Sequence, residues 1–490
     1  MLGTVLPALV GVGLAAYCAV KVASEVSPAF LTRRLGGMFP PSFDGVTLRE
    51  IGATVATVLA AAAMGVSWGT FLYLFRALPR EESTVRRWSA AVASLLARGF
   101  PEVAVLFCLQ LFFGTRLEIL LICVGLYTGG VLSRLLDITV TDDQREPYRR
   151  VRQAGATHAV AFVAVLTASV DLLLFRACLL RLDSVLRKVV ILGVAGAGGI
   201  GLSLQEHYAY GDIAVVGGLC LLLLCFHAGL ESLAALAGTG GHAPVPPTAR
   251  RYAVGFLQGT GVLGWLFCLG RLATGSRPLA LPYIDLPPLT YLGQRLAAAA
   301  METVASALAA ASIGIIAGSL IGLAASVELC RPRWLPYVIR LLLAVSRAVP
   351  DVLLVILAIS AVGFGWSSGA VVLAVLSTIT AAKLFADEVD SVGVSSYQAL
   401  RALGASPLQS LTSGLLPQLG GQLTSIAYWQ IEHNLRNAVL IGSVGAGGLG
   451  YFLVEARNAG SLPALVAGGL LACLLVGMVE LLGRGAPRQP

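Results

Sequence analysis

The chain has 490 residues, of which 57% are hydrophobic and 12% are charged, and its formal net charge is +8. Soluble domains carry about 25% charged residues, so this composition excludes a soluble globular protein, a disordered chain, a coiled coil and a collagen-like fibre. It predicts an all-α polytopic membrane protein, because the apolar runs are long enough for helices rather than barrel strands. We attribute the basic excess to cytoplasmic loops rather than to nucleic-acid binding.

Hydropathy predicts about six membrane spans in each half of the chain. In the first half they lie near residues 3–22, 51–77, 88–113, 117–138, 157–180 and 212–237. In the second half they lie near residues 252–272, 294–326, 337–362, 369–386, 410–435 and 463–483. We interpret the first run as a retained helix rather than a signal peptide, because Lys21 follows the run instead of preceding it.

The two halves are a tandem duplication. Residues 186–201 recur as residues 435–450 with nine of sixteen positions identical, at an offset of 249 that holds without a gap over most of each half. A direct repeat that keeps one membrane orientation needs an even number of spans, and six satisfies this. The densest basic segments then fall on one side, which the positive-inside rule places in the cytoplasm together with both termini.

The predicted domains follow from this offset. They are a first repeat over residues 1–237, a Gly/Pro-rich cytoplasmic linker over 238–251 and a second repeat over 252–490.

Each repeat contains a glycine-rich run that fits GxGxxG, the dinucleotide-binding fingerprint. That fingerprint requires a preceding strand and an acidic residue about twenty positions on, whereas apolar membrane sequence surrounds both runs. We therefore predict that the glycines let non-helical backbone turn at membrane depth and pack against a neighbouring helix or the pore. They are Gly196, Gly198, Gly199 and Gly201 in the first repeat, and Gly445, Gly447, Gly448 and Gly450 in the second.

A short polar segment between the fourth and fifth spans of the second repeat reads Gln398-Ala399-Leu400-Arg401-Ala402-Leu403-Gly404-Ala405-Ser406, and Leu416-Pro417 follows it. Its glycine allows a tight bend and close packing, and Pro417 can open the next membrane helix at its first turn. The segment resembles the EAA loop of the membrane subunits of binding-protein-dependent ABC importers, in which Glu-Ala-Ala is followed by Gly and then Leu-Pro. Gln398 stands where that family has Glu, and Leu400 where it has the second Ala.

Neighbouring segments extend the resemblance to the phosphonate/phosphite-type importer permeases. These segments are residues 346–351, 383–390, 432–436 and 442–450. The resemblance is strong from about Thr303 to the C-terminus and survives over the first half mainly through the repeat. Because such permeases are typically one unit long and homodimeric, the chain resembles a fused pseudo-dimer.

The resemblance implies a type I ABC importer permease of the plasma (inner) membrane, which performs no bond chemistry. The implied partners are an ABC ATPase pair, an extracytoplasmic substrate-binding protein, the lipid bilayer and a small oxyanion of phosphonate, phosphite or phosphate type. No GxxxxGK[ST] motif occurs in the chain, so ATP and Mg belong on the partner ATPase and no cofactor, catalytic residue or metal site is expected here.

The matching loop of the first repeat has diverged. It keeps Arg152 and Gly155, but Arg149 replaces the acidic position and Thr167-Ala168 replaces Leu-Pro. The coupling role that the resemblance implies therefore applies mainly to the second repeat, and we expect the first loop to dock differently.

Charged residues at membrane depth are the candidates for the translocation pathway. Asp183 and Arg187 are four residues apart, as are Glu432 and Arg436, so each pair can meet on one helix face. Two interpretations stay open: a neutralised pair that orients its helix, or arginines near a pseudo-twofold axis that help an oxyanion pass. Asn434 belongs to the same candidate set.

Arg98 and Arg347 each precede a proline by three residues, so each is predicted to lie near a kink. They either line the pathway or extend toward an interface.

Other functions fit parts of the sequence. A permease for another small solute, such as methionine, would share the EAA loop and the glycine run. An ion-coupled secondary transporter would show twofold repeats and buried charges, and a membrane oxidoreductase would be revealed by a bound flavin or haem.

Overall fold

The computed structural model describes residues 13, 16–17, 36–44, 48–77, 101–139, 150–151, 153–157, 160, 167–238, 247–274 and 289–484. Every long regular element in these residues is a helix. The first seven are α1 (Leu48–Ala77), α2 (Glu102–Phe113), α3 (Leu117–Thr139), α4 (Thr167–Leu192), α5 (Ile200–Tyr210), α6 (Ile213–Gly238) and α7 (Pro247–Ala273). The others are α8 (Leu289–Ala325), α9 (Trp334–Ala348), α10 (Asp351–Val362), α11 (Trp366–Val392), α12 (Ser395–Ala402), α13 (Pro407–Ser410), α14 (Leu416–Ile441), α15 (Gly448–Asn458) and α16 (Leu462–Arg484).

The chain is an all-α, multi-pass membrane protein. Six described helices are long and apolar enough to cross a membrane, and up to eight spans result if two bent pairs each form one. The predicted span at 3–22 lies almost wholly outside the described residues, and the span at 88–113 is described only from residue 101. The total of twelve spans therefore stays a prediction.

Helix α4 differs from the predicted span at 157–180. It is described from Thr167, runs on beyond residue 180 to Leu192 and is not among the six apolar helices. The reason is its charge, since it carries Asp171, Arg176, Arg181, Asp183, Arg187 and Lys188.

Small residues bring the long helices close together in the same way in both repeats. A Cβ atom on Gly65 of α1 would lie 2.7 Å from the Thr128 side chain of α3. A Cβ atom on Gly314 of α8 would lie 2.3 Å from the Ser377 side chain of α11. Gly314 and Ser377 match Gly65 and Thr128 at the offset of 249. Such small-residue contacts are typical of packed membrane helices.

The predicted kink at Pro350 is confirmed. Helices α9 and α10 meet there at an angle of 82°, as expected where proline removes a backbone donor. Pro101 has nearly the same backbone angles as Pro350, with ψ of 131° and 132° respectively. Residues 78–100 lie outside the described residues, so the matching kink in the first repeat stays a prediction.

The chain folds into two compact units whose boundaries differ from those of the two sequence repeats. One unit contains Gly37–Asp285 and Arg457–Gly469, and the other contains Leu286–Ala456, Leu470–Pro490 and the N-terminal residues through Gly36. Helix α7, which the sequence assigns to the second repeat, packs in the first of these units, where Trp265 Nε1 donates to the Met64 carbonyl at 3.0 Å. Tyr17 of the first predicted span belongs to the same unit as Trp366. The two rings stack with 6.1 Å between their centroids. The boundaries at 237 and 252 stay a prediction about the sequence and are not the limits of the compact units.

Candidate functional site

Helix α12 is a short exposed helix between two membrane helices. It comes directly after α11, and α13 with a π-helical turn (Leu411–Leu415) separates it from α14. Tyr397 packs against an apolar cluster formed by residues of α11 and α14, and Leu400 is half-buried. Gln398, Ala399 and Arg401 are exposed. The segment predicted as a coupling loop therefore forms a helix with one anchored face and one exposed face.

Gly404 ends α12 in a Schellman motif. Its φ of +88° is a left-handed conformation, which favours glycine. The N–H of Ala405 donates to the Leu400 carbonyl at 3.0 Å, and the N–H of Gly404 donates to the Arg401 carbonyl at 3.1 Å. A Cβ atom on Gly404 would have no described neighbour within 4 Å. The predicted bend is confirmed, and the backbone angle of Gly404 favours glycine there. The close approach to an ATPase that the resemblance implies stays a prediction.

The remaining loop residues order the backbone after the bend. Arg401 Nη1 donates to the Ala405 carbonyl at 2.7 Å. Ser406 forms a capping box on α13, accepting the Gln409 N–H at 3.2 Å while its own N–H donates to Gln409 Oε1 at 2.9 Å. Pro417 lies in the first turn of α14, as predicted.

An ionic cluster ties three helices together just before α12. Arg340 of α9 lies 2.6 Å from Asp390 and 3.3 Å from Asp387, both near the end of α11. The guanidinium also donates to the carbonyl of Ala325, the last residue of α8, at 2.8 Å, and Ser326 donates to Asp390 at 2.5 Å. Sequence analysis assigned these residues no role. The matching residues of the first repeat have no charge: Ala91, Ile138 and Thr141.

The first-repeat loop forms the same turn. Gly155 has a φ of +92°. A Cβ atom added to it would have no described neighbour within 4 Å, as at Gly404. The N–H of Ala156 donates to the Val151 carbonyl at 3.3 Å, which matches the Ala405 bond at the offset of 249. Arg152 lies outside the described residues. The turn is thus common to both repeats although the surrounding sequences have diverged.

Both predicted ion pairs form on their helices. Arg187 Nε lies 3.1 Å from Asp183 Oδ2 on α4, and Arg436 pairs with Glu432 on α14. All four side chains are less than a fifth exposed. Each arginine is therefore neutralised locally, as the first of the two interpretations expected, and a role in anion passage stays a prediction.

Asn434 belongs to a buried polar cluster. Its Oδ1 accepts a hydrogen bond from Ser377 Oγ at 2.8 Å, and Gln430 Nε2 donates to the Ser377 carbonyl at 3.0 Å. These contacts join α14 to α11. The structure therefore gives Asn434 a packing role.

The two proline-associated arginines have different outcomes. Arg347 lies half-buried in the last turn of α9, next to the kink. Arg98 lies outside the described residues.

Both glycine-rich runs leave the helical conformation at the same place. Gly196 has a φ of +96° and Gly445 a φ of +117°, inside the π-helical segments Gly193–Ala197 and Gly442–Ala446. The next glycines, Gly198, Gly199, Gly447 and Gly448, also have positive φ. The predicted non-helical turn is confirmed.

The last glycine of each run lets the next helix fold back on the preceding one. A Cβ atom on Gly201 would lie 2.2 Å from the Val190 carbonyl oxygen, and one on Gly450 would lie 2.1 Å from that of Val439. Any larger residue would have to displace backbone. The next helices along the chain, α5 and α15, were not predicted.

A threonine caps the helix after each run. Ile200 N–H donates to Thr54 Oγ1 at 3.0 Å, and Leu449 N–H donates to Thr303 Oγ1 at 2.8 Å. In the second repeat Glu302 also accepts the Gly448 N–H at 2.9 Å, whereas the first repeat has Ala53 at the matching position. The repeats share the turn but differ in the charge beside it.

Charged contacts in the first repeat add residues that sequence analysis missed. Lys188 of α4 pairs with Glu102 of α2, and its ammonium lies 3.6 Å from the centre of the Tyr127 ring on α3. His227 of α6 is 1% exposed, with Nε2 3.8 Å from Asp183 Oδ1. The available signal was the presence of charged residues within or beside apolar runs.

Comparison with known proteins connects this geometry to a family. The family model of the binding-protein-dependent transport system inner membrane component matches residues 287–483. The phosphate-import permease protein PhnE of Mycolicibacterium smegmatis is 28% identical over 90% of this chain and 85% of its own length. The cryptic phosphonate transport system permease protein PhnE2 of Escherichia coli K12 is 31% identical over 21% of this chain and 84% of its own length.

The chain belongs to this family. It is a membrane permease component of an ABC transporter, not an enzyme, and its partners are a separate ATPase subunit and a substrate-binding protein. Because the family consists of ABC transporter permeases, the alternative of an ion-coupled secondary transporter is not favoured. A chain of the methionine ABC transporter MetNI, in an inward-facing conformation, aligns with a TM-score of 0.37 and 23% identity over 42% of this chain and 100% of that chain.

Proposed function

We propose that this permease forms the whole translocation pathway of an importer for small oxyanions of the phosphonate, phosphite or phosphate class. The observation that carries the proposal is the alignment with the phosphate-import permease, which extends over 90% of this chain and thus over both repeats. The phosphonate transport permease of Escherichia coli supports the same class of cargo.

In this proposal one chain supplies both halves of the pathway, as a fused pseudo-dimer, and pairs with two ATPase subunits. The repeated glycine turns, threonine caps and small-residue contacts at the offset of 249 support this arrangement. In this proposal, residues of the two ion-paired helices line the pathway together with Arg347; they include Asp183, Arg187, Glu432 and Arg436.

Helix α12 is the main ATPase-docking element of the proposal. Leu403 and Leu408, on either side of Gly404, are 83% and 69% exposed, so the tip of the loop offers an apolar surface to a partner. The Arg340 cluster holds the base of α12 on three membrane helices. A force applied at the tip is thereby transmitted to the membrane helices, which is what coupling to an ATPase requires.

The proposed orientation places α12, the basic segments and both termini in the cytoplasm. A binding protein then delivers the oxyanion from the opposite side. ATP binding on the partner subunits biases the membrane helices between outward- and inward-open packings.

A competition assay tests the cargo class. Cells expressing the chain with its ATPase and binding protein should take up radiolabelled phosphate, phosphite or methylphosphonate by a saturable process. The other oxyanions of this class should compete, and methionine should not. Competition by methionine, with no effect of the oxyanions, would refute the proposal.

A further inference from the structure

Arg181 of helix α4 is a cation near the middle of a helix at the centre of the first repeat. Its side chain is half-buried. The guanidinium forms no ion pair and no hydrogen bond with any residue in the described part of the chain. A charge at membrane depth is costly, so such residues generally pair with one another or face a pathway.

The surroundings of Arg181 are basic and aromatic. Lys188 lies two helical turns further along α4, on the same face as Arg181. The Lys188 ammonium lies 3.6 Å from the centre of the Tyr127 ring of α3. Glu102 pairs with Lys188 and so compensates one of the two cations. Together, Arg181, Lys188, Tyr127 and Glu102 carry one net positive charge.

The other cation of this stretch of α4 is already compensated. Arg187 Nε lies 3.1 Å from Asp183 Oδ2. His227 Nε2 lies 3.8 Å from the other oxygen of that carboxylate, Oδ1. Arg187 is therefore less suited to hold an anion than Arg181, whose positive charge no described carboxylate neutralises.

The second repeat lacks these groups. The positions that match Arg181, Lys188 and Tyr127 at the offset of 249 are Gln430, Asn437 and Leu376. Gln430 is fully buried and donates to the Ser377 carbonyl, so its position is filled by packing. The net charge is thus a feature of one repeat.

We propose that Arg181, supported by Lys188 and Tyr127, is the anion-selecting site of the permease and holds the phosphoryl-type oxygens of the transported solute. The forked donors of a guanidinium match such an oxyanion, and the Tyr127 hydroxyl supplies a further donor. This inference rests on the proposed function. The phosphate of an anionic lipid has the same chemistry, and uptake kinetics combined with native mass spectrometry separate the two sources.

The test measures the concentration dependence of uptake in the complete complex. Arg181→Gln introduces the residue that the second repeat already has at this position, and Arg181→Lys keeps the charge without the fork. Arg271→Gln is the matched control, because the Arg271 side chain is 61% exposed in the same compact unit and a glutamine there can still donate to its partner Glu118, which is 14% exposed. The probes are radiolabelled phosphate, phosphite and methylphosphonate, and gel filtration checks folding.

We expect Arg181→Gln to raise the KM for the imported oxyanion about tenfold or more, as expected for a lost charge-assisted hydrogen bond, with ATP hydrolysis retained at saturating solute. Arg181→Lys should give an intermediate KM, and Arg271→Gln a KM within about twofold of the parent. If Arg181→Gln is not recovered folded, Arg181→Lys decides the question, since an unchanged KM would contradict the need for the fork.

Three results are distinguishable. A parental complex that imports none of the three probes refutes the proposed function itself. A parental complex that imports, with an Arg181→Gln variant of unchanged KM, refutes only the assignment of Arg181. If native mass spectrometry shows an anionic phospholipid bound to the parent and lost from that variant while KM is unchanged, the residue holds a lipid phosphate and the solute site is refuted.

Discussion

Replacing Gly404 by alanine tests the docking role of α12 with a minimal perturbation. Gly404 has a φ of +88°, and an added Cβ atom would meet no described atom within 4 Å. The substitution therefore introduces no clash with the described residues and costs only the strain of an L-residue in the left-handed conformation, about 1–2 kcal/mol. Since about 1.4 kcal/mol is a factor of ten, the population with the native turn falls by roughly five- to thirty-fold.

The first repeat provides a matched substitution. Gly155 has a φ of +92° and the same open surroundings, so Gly155→Ala carries the same local cost. Any difference in coupling between the two variants then reports which loop docks, not which turn is more strained. We expect Gly404→Ala to lose more activity, because only the second loop keeps Leu416-Pro417 and the Arg340 cluster at its base.

The assay is ATP hydrolysis by the complete complex, stimulated by the loaded binding protein. Gly211→Ala serves as the strain control, because Gly211 ends α5 with a φ of +85° and likewise has no described neighbour within 4 Å. It should leave stimulation near the parental level. Equal losses in the Gly404 and Gly155 variants would show that both loops couple equivalently, and the asymmetric account would be wrong.

Three further predictions concern the ion pairs and the assembly. Arg436→Met alone leaves the Glu432 carboxylate unpaired and should lower the free energy of unfolding by about 3–5 kcal/mol, whereas adding Glu432→Gln should recover most of it in thermal unfolding; no recovery would contradict the pair. Asp390→Asn removes the main partner of Arg340 and should cost about 1–3 kcal/mol, with reduced ATPase coupling; full stability and full coupling would remove the cluster from the account. Native mass spectrometry should find one copy of this chain for two ATPase subunits, and two copies would refute the pseudo-dimer.

Local features of the fold were predictable because they depend on residues close together in the sequence. The break at Pro350 follows from the missing proline N–H, and the turn at Gly445 follows from a conformation that glycine adopts freely. The Glu432–Arg436 pair follows from helical spacing. Because the two repeats match at an offset of 249, a feature expected in one repeat could also be expected at the matching position of the other.

Contacts between helices were not predictable from one sequence. Glu102 and Lys188 are 86 residues apart, and no local pattern specifies that α2 presents one to the other. The Arg340 cluster depends on the ends of three helices meeting. The packing of α7 on α1 likewise depends on the path of the backbone, which hydropathy does not report. Arg181 was missed for a related reason, since its significance lies in having no carboxylate partner among the described residues.

ATP dependence of transport tests the central claim most directly. The complete complex is reconstituted in vesicles that enclose ATP, with the binding protein and a radiolabelled oxyanion outside. We predict accumulation of the oxyanion that requires ATP hydrolysis and persists when ion gradients are collapsed. Accumulation without ATP, abolished by collapsing the proton gradient, would contradict the assignment as the permease of an ABC importer.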